Sequence, residues 1–67
     1  MIRISVNGAE RQCDTGATVA TLLDALELGG KRIAVERNGA IVPRSRWAEA
    51  RLEEGDRVEI VGAVGGG

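Results

Sequence analysis

Asn-Gly occurs twice in this chain, at Asn7-Gly8 and Asn38-Gly39, each time beside residues that alternate apolar and polar. Both residues of the dipeptide tolerate the positive φ of a two-residue type I′ turn, so each one predicts a tight hairpin. Before the first, Ile2, Ile4 and Val6 share one face while Arg3 and Ser5 share the other, the period of a half-buried strand. Gln12 and Cys13 fall in its weakly apolar return, which reads as an edge strand. Before the second, Ile33 and Val35 alternate, and Ile41 and Val42 begin the return. Pro43 cannot donate to a ladder and places that short strand at an edge or at its end.

Between the hairpins the period changes. Val19, Leu22, Leu23 and Leu26 recur at i, i+3, i+4 and i+7, one face of a helix. Thr18 is the predicted N-cap, and Gly29 or Gly30 the left-handed residue that ends the helix. A helix of roughly three turns is marginal alone in water and must lie on a sheet. Each leucine buried there contributes about 1.5–3 kcal/mol relative to exposure. "SRWAEARLEEGD" predicts a helical turn with Ser45 as its cap and Trp47 and Leu52 as anchors. Gly55-Asp56 then turns the chain into "RVEIV", where Val58 and Ile60 share a face. The order is β-β-α-β-β-turn-β. The first and last strands are the most apolar, so they belong together at the centre of a mixed sheet. They run parallel, with one helix across one face: an α+β domain over 1–67.

The residue types that are missing narrow the function. The chain has 67 residues, no His, no Tyr and one thiol, Cys13. Ser-His-Asp and Cys-His catalysis are excluded, as is a zinc site of histidines or several cysteines, so no metal-binding and no catalytic residue is assigned. A lone cysteine forms no internal disulfide. The formal net charge of −1 and the single aromatic residue, Trp47, leave neither a basic footprint nor a stacking platform for nucleic acid. No stretch is apolar enough to span a bilayer and no signal-peptide pattern opens the chain, which points to the cytoplasm. A chain without a usual acid or base near neutral pH is expected to be a substrate, carrier or binding module rather than an enzyme.

One feature is left over. "VEIVGAVGGG" runs from the last strand straight into three glycines and stops at Gly67. Glycine adds nothing to a core, so such a run is either inert or valuable for its backbone and terminal carboxylate. Composition alone favours the inert end. Its position, continuous with the last strand, favours a flexible tail over 63–67 that can be threaded elsewhere.

The order of elements resembles the β-grasp, or ubiquitin-like, fold, and "LEEGDRVEIV" followed by a terminal diglycine sharpens the likeness. Within that superfamily the chain is most similar to the ThiS family of sulfur carriers of thiazole biosynthesis. The likeness rests on "VNG", "TVATLL", "VERNGAIVPRSRW" and "VEIVGAVGGG"; the diglycine is common to all relatives, whereas "ERNGAIVPRSRW" in so short a chain points to this family. The related small subunit of molybdopterin synthase is usually longer, with a proline-containing tail. The resemblance implies an ATP-dependent activating partner, ThiF, that adenylates the carboxylate of Gly67. A sulfur source fed by a cysteine desulfurase converts the adenylate to a thiocarboxylate, and the thiazole synthase ThiG takes the sulfur. The chain itself binds no cofactor; ATP and Mg²⁺ belong to the activating partner.

The residues suit that chemistry. A carboxylate is a poor electrophile until coupled to AMP, and its carbon must reach a nucleotide deep in a partner. Gly65 and Gly66 form the narrowest strand available for such a channel and adopt φ/ψ values closed to other residues. After Glu59 no side chain is charged, which avoids desolvation on entry. Alternation places Val61 and Ala63 on the face away from Val58 and Ile60, so Val61, Ala63 and Val64 are the expected partner contacts. Cys13 has nothing nearby to lower its pKa and reads as a small half-buried residue. Arg37, Arg44, Arg46 and Arg51 either guide an acidic partner or form a solvated face paired with Glu36, Glu49 and Glu53. Trp47 reads as a core cap against Leu52. The residues leave open a carrier for molybdopterin or another pathway, a ubiquitin-like modifier of lysines, and a β-grasp binding module with an idle tail.

Overall fold

The computed structural model describes residues 1–62. Strand β1 (Ile2–Val6) turns into β2 (Ala9–Cys13), helix α1 (Val19–Ala25) follows, then β3 (Ile33–Arg37) turns into β4 (Ala40–Ile41), and β5 (Arg57–Gly62) closes the set. Among the described residues these strands form a five-stranded sheet in the order β2-β1-β5-β3-β4. Both Asn-Gly turns form as expected: φ is 51° and 88° at Asn7 and Gly8, and 53° and 88° at Asn38 and Gly39. The returning strands β2 and β4 are the two edges, and β5 lies at the centre, parallel to β1 and antiparallel to β3.

Ile4, Val19, Leu22, Leu23, Val35, Trp47, Leu52 and Val58 are buried together, so α1 covers the face of the sheet that carries Val58. The N-terminus of α1 is closed twice over. Thr18 Oγ1 accepts from the Thr21 N–H at 3.2 Å and Thr21 Oγ1 accepts from the Thr18 N–H at 2.8 Å, a capping box with threonine in the place usually held by Glu or Gln. The next orphan donors, the Val19 and Ala20 N–H groups, reach the carbonyls of Ala50 and Trp47.

Three details differ from expectation. Helix α1 has 7 residues, about two turns rather than three. It ends in a Schellman arrangement, with the Glu27 N–H on the Asp24 carbonyl and the Leu28 N–H on the Leu23 carbonyl. The left-handed residue is therefore Glu27, with φ 61°, and neither Gly29 nor Gly30. This early reversal is what returns Leu28 to the core; Gly30, φ 85°, serves the following turn, in which the Lys31 N–H bonds the Leu28 carbonyl. Second, Ser45 caps nothing. It lies inside a short 3-10 turn, Arg44–Arg46, whose N-cap residue is Pro43, with no side-chain cap bond. Third, Arg37 pairs with Asp56, which lies outside the set of Glu36, Glu49 and Glu53: its Nε is 2.8 Å from Asp56 Oδ2.

Trp47 is 8% exposed and donates its indole N–H to the Val42 carbonyl at 2.9 Å, so it is a core residue, as anticipated. The Arg44 guanidinium lies 4.8 Å from the ring centroid, a cation–π contact rather than a free charge. Arg46 and Glu49 do pair, at 3.8 Å and in full solvent, which contributes little to stability.

Candidate functional site at the end of the last strand

The candidate site is the place where β5 leaves the sheet. β5 enters the sheet at Asp56, a carboxylate only 6% exposed. Its Oδ2 accepts from Arg37 Nε and the Glu53 N–H, both at 2.8 Å, and its Oδ1 accepts from Asn38 Nδ2 at 3.0 Å. Burial pushes the Asp56 carboxyl pKa up, but the Glu53 amide, Asn38 and the Arg37 guanidinium together outweigh it, and the net displacement is below the ordinary 3.8. Asn38 holds β5 a second time, its Oδ1 accepting the Arg57 N–H at 2.8 Å.

The far end of β5 has a matching device. The parallel ladder with β1 covers Ser5↔Arg57 and Val6↔Val58 and then stops, because β1 turns away at Asn7. There the Asn7 side chain takes over. Its Oδ1 accepts the Ile60 N–H at 2.7 Å and its Nδ2 donates to the Ile60 carbonyl at 3.2 Å. On the other flank the ladder with β3 runs on through Ala34↔Val61 to Ile33↔Gly62. Sequence reasoning read both asparagines as turn formers and missed these side-chain bonds. No local signal separates the two uses, because asparagine is a preferred opening residue of such a turn in any case.

Val61 is 57% exposed on the open face of the sheet, as alternation predicted. Its cross-strand partner Ala34 is also exposed, and Glu59 and Glu36 lie directly opposite one another one step back. Beneath, on the helix side, Val6, Leu26, Leu28, Ile33, Ile60 and Gly62 border an open, mainly apolar groove of about 410 Å³. Thus apolar surface flanks the tail root on both faces. Ala63, Val64, Gly65, Gly66 and Gly67 lie outside the described residues.

Cys13 is remote from this site. It pairs with Ile2, at the end of β1 opposite to the one beside Val58. Burial raises its thiol pKa, Arg11 pulling it down and Asp14 adding to the rise, so it is not an activated thiolate. Among the described residues no cluster of His, Cys, Asp or Glu could hold a metal ion, and no helix is long and apolar enough to cross a membrane.

Comparison with known proteins agrees with this architecture. Residues 4–67 match the model of the ThiS family. The sulfur carrier proteins ThiS of Bacillus subtilis and Escherichia coli are 37% and 33% identical to the chain, over 100% and 98% of it respectively and 100% of their own length. A thiazole synthase of Paramagnetospirillum magneticum is 41% identical over 66 residues, and the chain spans only 20% of that protein's length. The crystal structure of the thiamine biosynthesis protein ThiS from Geobacter metallireducens superposes with a TM-score of 0.83 at 30% identity, covering 98% of this chain and 100% of that one. The sheet order, the single crossing helix and the match from Ile4 to the last glycine agree: this β-grasp chain belongs to the ThiS family.

Proposed function

We propose that the chain is a sulfur carrier of thiamine biosynthesis and not itself a catalyst, with the carboxylate of Gly67 as its working group. An ATP-dependent adenylating enzyme of the ThiF type couples that carboxylate to AMP and releases pyrophosphate. A sulfide equivalent, supplied through a cysteine desulfurase, displaces AMP and leaves a thiocarboxylate, which donates its sulfur to a thiazole synthase of the ThiG type. ATP and Mg²⁺ are bound by the activating partner. The observation that carries this reading is a family match that runs on through the glycine-rich end to Gly67. The likeness to a stretch of proteins named thiazole synthase supports such an enzyme as the sulfur acceptor.

The geometry around Gly62 is consistent with the same role. β5 is bonded along both flanks up to Ile60, so a partner meets a fixed base from which 63–67 continue. Five residues reach at most about 18 Å when extended, so a nucleotide site that accepts Gly67 lies within that distance of Gly62. Gly65 and Gly66 then occupy the narrow channel, with Val61, Ala63 and Val64 at its mouth. The reactions belong to the cytoplasm, where cysteine desulfurase and ATP are found together.

The test is intact-mass spectrometry after incubation with ATP, Mg²⁺, a ThiF-type enzyme and a sulfur source, with fragmentation to localise the change. Replacement of one oxygen by sulfur at Gly67, dependent on ATP, is the expected result. A competent enzyme that leaves the terminus unmodified refutes the reading. Conjugates to protein lysines in place of a thiocarboxylate identify a modifier instead.

A further inference from the structure

A two-residue turn needs only positive φ at position 7, and glycine supplies that at least as well as asparagine. The Asn7 side chain does something else. It bonds the backbone of Ile60, 53 residues away in sequence, as both acceptor and donor. Its own N–H continues the β1 pattern by bonding the Val58 carbonyl at 2.9 Å. Backbone groups alternate sides along a strand, so Val58 and Ile60 both face the β1 flank, and at Ile60 the β1 main chain has already turned off. The carboxamide stands in for one further strand residue. Past it, among the described residues, Val61 and Gly62 are laddered only to β3. Among the described residues, Asn7 makes the last bond to β5 on the β1 flank.

We infer that Asn7 is a positioning residue for the tail: by closing the β1 flank of Ile60 it fixes the direction in which the chain leaves the sheet toward the adenylating enzyme. This rests on the sulfur-carrier reading, because only a tail that must enter another protein's site gains from a fixed root. Without the carboxamide, the end of β5 can swing about its β3 pairing, and the partner must select the productive direction from a wider set. That lowers the population competent to bind and leaves the chemical step alone. Asn7 touches no reacting atom.

The test compares wild type with Asn7→Gly, which keeps the turn, and with Thr18→Ala, which lowers stability at the remote helix cap. All three are assayed at a temperature where Trp47 fluorescence shows them folded. Amide hydrogen exchange at Ile60 is expected to accelerate in Asn7→Gly and not in Thr18→Ala. In pyrophosphate release by the adenylating enzyme, KM for the carrier is expected to rise about tenfold in Asn7→Gly, the loss of two neutral hydrogen bonds. Its kcat stays within roughly twofold, since binding and not chemistry is affected. Asn7→Asp, which keeps the acceptor for the Ile60 N–H, recovers part of the KM. An unchanged KM in Asn7→Gly overturns the inference, and so does an equal rise in Thr18→Ala, which would assign the effect to stability. Failure of the wild type to be adenylated is seen before any variant is compared and refutes the sulfur-carrier reading itself.

Discussion

Replacing Asp56 by asparagine keeps the shape of the side chain and removes its charge, at the one buried charged position among the described residues. In the wild type, Oδ2 faces two donors, Arg37 Nε and the Glu53 N–H, and Oδ1 faces a third, Asn38 Nδ2. An asparagine amide has one oxygen, so either orientation turns an NH₂ toward a donor. Asn38 cannot simply flip to help, because its Oδ1 already holds the Arg57 N–H at 2.8 Å. Charge-assisted bonds contribute about 1 kcal/mol more than neutral ones, and a buried polar group left facing its own kind costs about 1–3 kcal/mol. The Arg37 side chain is 26% exposed, so water recovers some of its charge, and the expected loss is about 3 kcal/mol, at the low end for breaking a buried pair.

A domain of 67 residues has roughly 3–10 kcal/mol in all. With a urea m-value of about 1 kcal/mol/M, the midpoint should fall by about 3 M. Trp47, buried in the core, is a built-in fluorescence probe. The pH dependence follows the same carboxylate. Its folded pKa lies below the ordinary 3.8, so its stabilisation is fully present above that value and is lost as pH falls from 3.8 through the folded pKa. Asp56→Asn should remove this part of the acid sensitivity along with the stability. A midpoint shift under about 0.5 M, or an acid transition that is the same in both proteins, refutes the reasoning: the carboxylate would then be no hub for the start of β5.

Glu27→Gly should raise stability by about 0.5–1 kcal/mol in the same urea assay, because the residue holds φ 61° at the helix C′ position, where only glycine is free of the Cβ penalty. Destabilisation would mean that the Glu27 side chain makes a contact that outweighs the strain. Glu59→Gln should stabilise by about 0.2–1 kcal/mol by ending the repulsion with Glu36 directly across the β3–β5 ladder, and the gain should shrink in high salt. Cys13→Ser should acquire the terminal sulfur as fast as wild type, measured by intact mass; a large loss would make the thiol part of the transfer.

The sheet was legible in the sequence because each of its determinants is local. Two Asn-Gly turns fix two hairpins, a change of period fixes the helix, and the apolarity of the outermost segments places them side by side at the centre. The helix end was misread for a physical reason. Glycine is the usual left-handed residue at a C-terminus, and "LELGG" offers two, but the reversal is set by where Leu28 can reach the core, and that falls at Glu27. Arg37 reads in sequence only as one of four arginines on a face shared with Glu36, Glu49 and Glu53, and its nearest acid, Glu36, is adjacent in the strand and so points to the opposite face. Asp56 sits 19 residues away in sequence, beyond the reach of any local pattern.

The same distinction separates the glycine-rich end, which stands out in the sequence, from its support, which does not. A glycine run after the last strand is visible in one dimension. What we infer to orient its root is one turn residue, Asn7, that looks interchangeable with glycine in a one-dimensional reading. In three dimensions, Asn38 and Asp56 secure the entry of β5, while Asn7 secures Ile60 near its exit. Among the described residues, those buried in the core all precede Ile60, upstream of the glycine-rich end. On the carrier reading, substitutions in 63–67 act on passage through a partner's channel, whereas substitution of Asn7 acts on the fold and on the direction of the chain's exit together.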